Sequence, residues 1–501
     1  MSLTFVAAEP KVSHGPISRL RQAASFPVLL STLLSLLAVF TVRWRFDDPD
    51  MWWHLKVGEI VWTTRTIPTT DLFSYTTNHH AWVPHEWLSQ AIIYCAYRLG
   101  GYIGLMLWLC LLTAALLLAG HILCSLYSGN AKIGFLGAMT IWFFSTAGLA
   151  IRPQIIGYLL LILELLIVQL GRVRDPRWFF CLPPLFAVWI NCHGSFFLGL
   201  VVGAVFLASS FFQFQIGSLV ALRWSGRKQE ILALSLLLSL GALFLNPGGF
   251  NQILYPLNTI MRQPVGLSHV SEWMPLSMSS ARGIGLLAVF AGVLLLVILQ
   301  KSELYLDELV LLSLGAWLAV SHQRMVFVFG ILAAPILSRL LSTSWEEYEQ
   351  VHDRPLLNAA LMALAVLAMY WAFPSRTYLV RQVEEGSPVK AVDFINAQHL
   401  SGNMLNEYVY GGYLIWAAPE HPVFVDGRAD VFEWTGVLSE FGRWATLQSD
   451  PKILLDKYKI SFCLLSRTSP MARVFPLLPG WSRIYSDENS IIFARTASPG
   501  L

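Results

Sequence analysis

Long apolar runs recur from the N-terminal region to about residue 373, and they limit the possible folds of this chain more than any other feature. About eleven of them approach the roughly 20 residues that a helix needs to cross a bilayer. Charged residues make up only 13% of the sequence, whereas soluble proteins carry roughly 25%. The predicted spans are 26–42, 102–126, 133–149, 155–170, 178–191, 196–212, 231–245, 283–299, 304–320, 325–341 and 356–373. The sequence therefore predicts a polytopic α-helical membrane protein.

Basic residues indicate how these helices are oriented. Lys11, Arg19 and Arg21 precede the first span, and cytoplasmic segments are enriched in Lys and Arg. No cleavage site follows that span, so we expect it to be retained as a helix with a cytoplasmic N-terminus. The other predicted inner loops hold Lys132, Arg172, Arg174, Arg177, Arg223, Arg227, Lys228, Lys301, Arg339 and Arg354. An odd number of spans then places the C-terminus outside.

The composition changes to that of a soluble domain at about Pro374. We predict a transmembrane module over 1–373, whose first outer loop (43–100) ends in an amphipathic helix lying on the membrane. A C-terminal outer-face α/β domain follows over 374–501. Its predicted helices are 388–397, 411–417, 435–447 and 451–458, its strands are 403–406, 422–425 and 460–465, and 481–495 is a hairpin.

Charge and cysteine usage exclude some classes of function. The net charge is +3 and there is no basic cluster, so no nucleic-acid surface is indicated. The six cysteines form no C-x-x-C pair, which argues against a disulfide framework and against a zinc site.

The densest polar stretch, residues 47–54, follows the first span directly. It holds three carboxylates, two tryptophans and a histidine. Asp50 and His54 are one helical turn apart, so their side chains can face the same point. Other unusual polar residues fall at predicted outer ends or loops, and the candidates among them are His85, Glu86, Arg152, His193, Glu272 and Arg324.

This one-sided distribution bears on the type of function. A carrier would be expected to place polar groups near the midplane, where this sequence has Glu164 and little else. The pattern favours chemistry at the outer membrane surface, on a substrate that has a lipid part.

Each candidate also has a simpler interpretation, and these alternatives stay open at this point. Asp50 precedes a helical run and can serve only as its N-cap. Asp48 can be a solvated loop acid, and Glu86 is favoured by the dipole of the helix that it opens. Arg152 and Arg324 can be ordinary interfacial residues. His193 can make a structural hydrogen bond at a helix end.

Two motifs resemble those of known enzymes. Asp50-Met51-Trp52-Trp53-His54 is similar to the acid–aromatic–aromatic–histidine motif in the first outer loop of oligosaccharyltransferase catalytic subunits, which belong to the GT-C superfamily of membrane glycosyltransferases. Residues 407–414 and 423–427 resemble the WWDYG region of the same enzymes. The chain as a whole resembles a bacterial group of this superfamily without an assigned reaction, through DPDxWWH, HEWL, RPQ, NPxG and VDGRAD between Asp48 and Asp430.

The resemblance also has departures. The aspartate and both tryptophans of WWDYG are missing, since Tyr408-Val409-Tyr410-Gly411 stands there, so glycosylation of asparagine sequons is not implied. Arg152-Pro153-Gln154 stands where those enzymes have a second acidic metal-binding motif. A divalent metal, Mg²⁺ or Mn²⁺ held in part by Asp50, is accordingly an open element of the expected site.

The resemblance implies a multi-pass protein of the bacterial cytoplasmic membrane that moves a sugar from a polyprenyl-phosphate-linked donor to a glycan, lipid or protein acceptor. We expect an inverting displacement in which a carboxylate polarises the acceptor and positive charge stabilises the departing phosphate. The expected roles are catalysis for Asp50, Asp48 and His54, donor-phosphate binding for Arg152, Arg324 and His193, a polar rim for His85, Glu86 and Glu272, and acceptor binding for Tyr410, Tyr413, Asp426 and Arg428. The alternative is a non-enzymatic carrier or flippase of lipid-linked precursors, or an envelope-assembly scaffold.

Overall fold

The computed structural model describes residues 21–77, 79–262, 271–342, 345 and 348–496. Lys11 and Arg19, on which part of the predicted orientation rests, lie outside the described residues. The helices up to Ala372 are α1 (Phe26–Val42), α2 (Met51–Thr64), α3 (Trp87–Ser128), α4 (Ala131–Ser145), α5 (Gln154–Val173), α6 (Leu182–Cys192), α7 (Phe196–Ser209), α8 (Gly226–Ala242), α9 (Gly249–Arg262), α10 (Ala281–Leu299), α11 (Leu306–Ser321), α12 (Val326–Leu341) and α13 (Pro355–Ala372).

Each predicted span coincides with one of these helices. Among the described residues, five helical segments are long and apolar enough to cross a membrane: Trp87–Ser128, Gln154–Val173, Ala281–Leu299, Gln323–Leu341 and Pro355–Ala372. Helices α1, α4 and α7 are shorter and also apolar. These helices support a multi-pass membrane protein, while the number of eleven spans and their orientation stay predictions.

Helix α3 joins the first outer loop to the membrane-spanning bundle. It bends at Gly101, whose φ of 58° and ψ of −138° interrupt the helical backbone. Glycine adopts this conformation readily because it has no Cβ. The segment before the bend is the predicted amphipathic helix, and it packs beside α2, where Gln90 Nε2 lies 3.1 Å from His54 Nδ1.

The chain after α13 contains a four-stranded sheet. Its strands, numbered after the short β1 (Phe214–Ile216), β2 (Leu219–Ala221) and β3 (Leu304–Tyr305), are β4 (Asn403–Asn406), β5 (Ile460–Ser466), β6 (Trp481–Ser486) and β7 (Ser490–Arg495). The order is β4-β5-β7-β6, with β4 parallel to β5 and the other pairs antiparallel. The packed helices are α14 (Arg376–Gly386), α15 (Val389–Ala397), α16 (Gly411–Ala417), α17 (Ala429–Trp434), α18 (Val437–Ala445), α19 (Pro451–Lys457) and α20 (Pro470–Val474). The predicted hairpin at 481–495 is confirmed.

The predicted strand over 422–425 is wrong. The segment makes only an isolated bridge, between Val423 and Ser74 of the first outer loop. The Val423 N–H donates to the Phe73 carbonyl at 2.9 Å. The amide of Asn406 accepts from the Phe424 N–H at 2.8 Å and donates to the Val425 carbonyl at 2.7 Å. Because these partners satisfy its backbone groups, the segment joins the first outer loop to β4 without entering the sheet.

A buried arginine also joins this segment to the first outer loop. The Arg428 guanidinium donates to Asp71 Oδ1 at 2.7 Å and to Asp426 Oδ2 at 2.6 Å. The guanidinium also lies over the rings of Phe73 and Trp82, 4.9 Å from the centroid of each ring. The first outer loop and the C-terminal segment are therefore packed together with a shared ionic core.

Candidate active site

Asp48 and Asp50 meet Arg152 where two distant segments of the chain converge. Asp48 Oδ1 accepts the Asp50 N–H at 2.9 Å, which fixes the turn across Pro49. Arg152, just before α5, donates from Nε to Asp48 Oδ2 at 2.6 Å. Its Nη2 lies 3.1 Å from Asp50 Oδ2. The polar stretch after α1 is thereby tied to the start of α5, as expected if both lie at one end of the bundle.

Glu272 and Arg324 extend this network. The Arg152 Nη1 group donates to Glu272 Oε1 at 3.1 Å, and Arg324 Nη1 lies 3.5 Å from Glu272 Oε2. Arg324 also donates to Gln154 Oε1 at 3.0 Å. These contacts join Asp48, Asp50, Arg152, Glu272 and Arg324, which we call the carboxylate–arginine network.

Burial and charge act in opposite directions in this network. Burial raises the pKa of Asp48, and the charge of Arg152 only partly offsets it. Burial acts to lower the pKa of Arg152, but the charges of Asp50, Asp48 and Glu272 outweigh it and hold that pKa well above its usual value. Arg152 is therefore a permanent cation within this group.

The geometry answers the simpler interpretation of Asp50 as only an N-cap. Asp50 occupies the position before α2, but its side chain makes no capping hydrogen bond. Glu86 likewise does not cap α3. Asp50 instead faces Arg152, and an added Cβ on Gly427 would lie 1.8 Å from Asp50 Oδ1. Gly427 therefore allows the VDGRAD loop to approach Asp50 closely.

Glu86 lies among three histidines. Its carboxylate oxygens are 4.0 Å from His54 Nδ1, 3.7 Å from His85 Nε2 and 3.5 Å from His193 Nε2. His54 thus belongs to this group, which we call the Glu86–histidine cluster. The sequence predicted His54 beside Asp50; in the structure the His54 ring faces Gln90 and Glu86, whereas Asp50 faces Arg152.

The Glu86–histidine cluster favours uncharged side chains. Burial raises the pKa of Glu86 from 4.5 to about 8. Burial also lowers the pKa of His85 from 6.5 to about 4, and it lowers the pKa values of His54 and His193 well below their usual value. A protonated carboxyl and neutral imidazoles are the forms that a site poor in solvent stabilises.

We expect the stability of the protein to depend on pH through Glu86. A raised carboxyl pKa gives stability that is complete below about pH 4.5 and is lost as the pH rises through about 8. The apparent melting temperatures of wild type and Glu86→Gln in detergent should agree at about pH 5. At about pH 9, wild type should be less stable than Glu86→Gln. The histidines are present in both proteins and cancel in the difference. A difference that stays constant across this range would contradict the assignment.

Two residues of this region were not singled out from the sequence. The ring of Tyr255, in α9, stacks on His85 with 3.8 Å between centroids, and its hydroxyl donates to Asp430 Oδ2 at 3.2 Å. Asp430 is the last residue of the VDGRAD motif, so the motif could have indicated it as a candidate. Tyr255 had no signal, because α9 falls in a segment predicted as loop.

The four residues predicted to bind the acceptor are buried. Asp426 and Arg428 are 0% and 2% exposed, and Tyr410 and Tyr413 are 5% and 9% exposed. The Tyr410 hydroxyl donates to the Asn489 carbonyl at 3.0 Å, and the Tyr413 ring packs edge-on against Trp52. The contacts of Tyr413, Asp426 and Arg428 hold the C-terminal segment against the first outer loop, whereas Tyr410 bonds within the C-terminal segment.

A cavity of about 190 Å³ adjoins the carboxylate–arginine network. Its polar lining includes Glu272, Arg282 and Arg324, and its apolar lining includes Phe144 and Phe327. Arg282 donates to Thr146 Oγ1 at 3.3 Å. The cavity thus combines guanidinium groups with an aromatic wall.

Solved structures show what this architecture is similar to, whereas no protein-family model matches the sequence and no curated protein is significantly similar to it. ArnT from Cupriavidus metallidurans, bound to undecaprenyl phosphate, aligns with a TM-score of 0.53 and 13% identity over 94% of this chain and 98% of its own. The oligosaccharyltransferase AglB from Archaeoglobus fulgidus, with an inhibitory peptide and dolichol-phosphate, gives 0.53 and 11% over 93% and 74%. The arabinofuranosyltransferase AftD from Mycobacteria gives 0.52 and 13% over 93% and 41%.

The chain shares the fold of these three solved proteins. The identities are low, so the likeness establishes the architecture of this chain and leaves its reaction to be argued from its own residues.

Metal binding at Asp50 can be tested against the geometry of this site. Within the described ranges, no three His, Cys, Asp or Glu side chains are grouped so that they could hold a metal ion. Asp48 and Asp50 each direct one oxygen at Arg152. This arrangement fits a guanidinium rather than a divalent ion between the carboxylates, so no step below passes through a metal.

Proposed function

We propose that this protein is a glycosyltransferase that moves a sugar from a polyprenyl-phosphate-linked donor to an acceptor at the outer face of the cytoplasmic membrane of a bacterium. The observation that carries the proposal is the carboxylate–arginine network beside a cavity lined by both guanidinium groups and aromatic rings. The GT-C fold supports the same class of reaction by analogy.

The cavity suits the phosphate end of a lipid donor. Arg324 and Arg282 can neutralise a phosphate, since guanidinium groups bind phosphate oxygens through paired N–H donors. Phe144 and Phe327 offer an apolar surface for the first isoprenoid units. ArnT and AglB, which share the fold, were solved with undecaprenyl phosphate and dolichol-phosphate, which supports a donor of this type. His193, also predicted to bind phosphate, is assigned here to the Glu86–histidine cluster.

Asp50 is assigned as the general base. Its Oδ2 faces Arg152, while its Oδ1 lies beside Gly427, so one oxygen remains for the acceptor. The carboxylate removes the acceptor proton as the acceptor atom attacks the anomeric carbon, and the bond to the phosphate oxygen breaks. A single displacement of this kind inverts the anomeric centre.

Neighbouring groups position the acceptor and the base. The indole N–H of Trp53 is buried without a hydrogen-bond partner among the described residues, and it lies beside the same glycine as Asp50. We assign it to donate to the acceptor.

Asp48 holds the turn that carries Asp50, and His85 and Glu86 form the polar rim. We assign Tyr413, Asp426 and Arg428 the role of holding the VDGRAD loop near Asp50, and Tyr410 the role of supporting the same segment through its bond to Asn489.

The experiment that tests the proposal follows the fate of the donor. Protein in sealed lipid vesicles is incubated with polyprenyl-phosphate-linked sugars and a cell-envelope extract as the source of acceptor. The expected product is free polyprenyl phosphate, measured by mass spectrometry, whose formation requires the extract and the protein together. Transfer of intact donor across the bilayer without cleavage would support the carrier alternative.

Glu164 offers a test that distinguishes an enzyme from a carrier. It is completely buried in α5, and neither carboxylate oxygen has a hydrogen-bond partner among the described atoms. Added Cβ atoms on Gly199 and Gly203 of α7 would lie 2.7 Å and 3.4 Å from its oxygens, so the side chain fills a close helix contact.

We expect Glu164→Gln to keep its melting temperature and its activity. The amide has the same shape as the carboxyl group, and it carries no charge into an apolar site where a charge is costly. Thermal unfolding and the donor-cleavage assay measure both properties. Loss of function in a stable Glu164→Gln protein would instead favour a transport pathway through the midplane.

A further inference from the structure

Arg152 contacts three carboxylates that come from two distant parts of the chain. Its three guanidinium nitrogens lie 2.6 Å from Asp48, 3.1 Å from Asp50 and 3.1 Å from Glu272. The aspartates precede α2, and Glu272 lies in a short helix before α10. Each nitrogen therefore serves a different carboxylate, and the guanidinium forms the centre of the group.

The charges of the group need a cation at this centre. Three carboxylates converge, and Arg324 approaches only Glu272, at 3.5 Å. The side chains of Asp48 and Arg152 are 9% and 17% exposed, so water screens their charges weakly. Carboxylates brought together in this way repel one another unless a positive charge lies between them.

We infer that Arg152 is a built-in cation, which occupies the place between Asp48, Asp50 and Glu272 that a divalent ion would otherwise take, and that glycosyl transfer by this protein therefore needs no added metal. The part that concerns transfer rests on the proposed function. The part that concerns ion binding does not, because it follows from the positions of the carboxylates alone.

Arg152 acts through Asp50 and is a positioning residue. It binds Asp50 Oδ2 and leaves Oδ1 for the acceptor proton. The planar guanidinium serves three carboxylates at once with fixed geometry, which the single ammonium group of a lysine does not reproduce. Removing it leaves carboxylate oxygens facing a common point, and Mn²⁺ and Mg²⁺ prefer such ligands.

The test is Mn²⁺ binding to the purified, full-length protein in nanodiscs, followed by electron paramagnetic resonance. Wild type should show no saturable Mn²⁺ binding that depends on Asp50, whereas Arg152→Ala should gain a saturable site that is lost again in Arg152→Ala/Asp50→Asn. Arg172→Ala is the matched control, since Arg172 pairs with Asp307 at 3.0 Å outside the carboxylate–arginine network; this variant should gain no site. Donor cleavage by wild type should be unchanged by EDTA.

Two results would overturn the inference. One is Mn²⁺ binding to wild type that Asp50→Asn abolishes, a measurement that needs no Arg152 variant to fold. The other is a folded Arg152→Ala protein that gains no Asp50-dependent Mn²⁺ site. If the Mn²⁺ results hold and no donor is cleaved, the built-in cation stands and the proposed function fails.

Discussion

Replacing Asp50 with asparagine is expected to abolish glycosyl transfer while the protein stays folded. Asparagine keeps the shape of the side chain and loses the ability to take a proton from the acceptor. General-base catalysis contributes about 10²- to 10⁴-fold to a rate, so free polyprenyl phosphate should form at least about 100 times more slowly in Asp50→Asn. Arg152 keeps Asp48 and Glu272 as partners, so the fold should tolerate the change.

Asp47→Asn is the matched control for this experiment. Asp47 is an exposed acid in the same loop, three residues before Asp50, and it should keep full activity with the same change of charge. Size-exclusion profiles and melting temperatures of both variants should match those of wild type. An Asp50→Asn protein as active as Asp47→Asn would remove Asp50 from the mechanism.

Among the substitutions considered, replacing Arg428 with methionine is expected to cause the largest loss of stability. The side chains of Arg428, Asp71 and Asp426 are at most 1% exposed, so the change leaves two buried carboxylates without their cation. Breaking a buried ion pair in this way costs about 3–5 kcal/mol. Loss of this contact should also separate the VDGRAD loop from Asp50, so activity should fall with stability.

Compensating substitutions can show whether the loss of stability in Arg428→Met comes from the unpaired carboxylates. Arg428→Met/Asp71→Asn/Asp426→Asn should recover part of the lost melting temperature, because it removes the unpaired charges. Arg443→Met, at an exposed position of the same segment, should lie within about 0.5 kcal/mol of wild type. A melting temperature for Arg428→Met equal to that of Arg443→Met would show that the buried ion pairs contribute little.

The helices could be predicted because apolar length alone specifies them. An apolar run such as the one in α10 (Ala281–Leu299) is expected to be helical, since a chain in lipid must satisfy its own backbone hydrogen bonds. The segment 422–425 was harder, because its β-branched and aromatic residues suit a strand while its actual partners are the first outer loop and the Asn406 side chain. Helix α9 contains Pro256, and a proline in an amphipathic stretch indicates a turn as much as a helix.

The location of the candidate site could be predicted, but the pairing of its residues could not. Asp50, Arg152 and Arg324 were recognised because charged residues at the outer ends of apolar helices are uncommon. His54 was expected beside Asp50, yet Asp50 precedes α2, and its side chain is not bound by the helical period. The burial of Arg428 depends on the packing of two regions that lie more than three hundred residues apart in sequence, which no local pattern reveals.

We propose that the protein consumes a sugar carried on a polyprenyl phosphate and that Asp50 is required for this reaction. The most direct measurement is the amount of such lipid-linked sugars in cells without the gene, and in the same cells supplied with wild type or with Asp50→Asn. We predict that one polyprenyl-phosphate-linked sugar accumulates without the gene, returns to its normal level with wild type and stays high with Asp50→Asn. Identical levels of every such lipid in all three strains, with both proteins present in the membrane, would contradict the account.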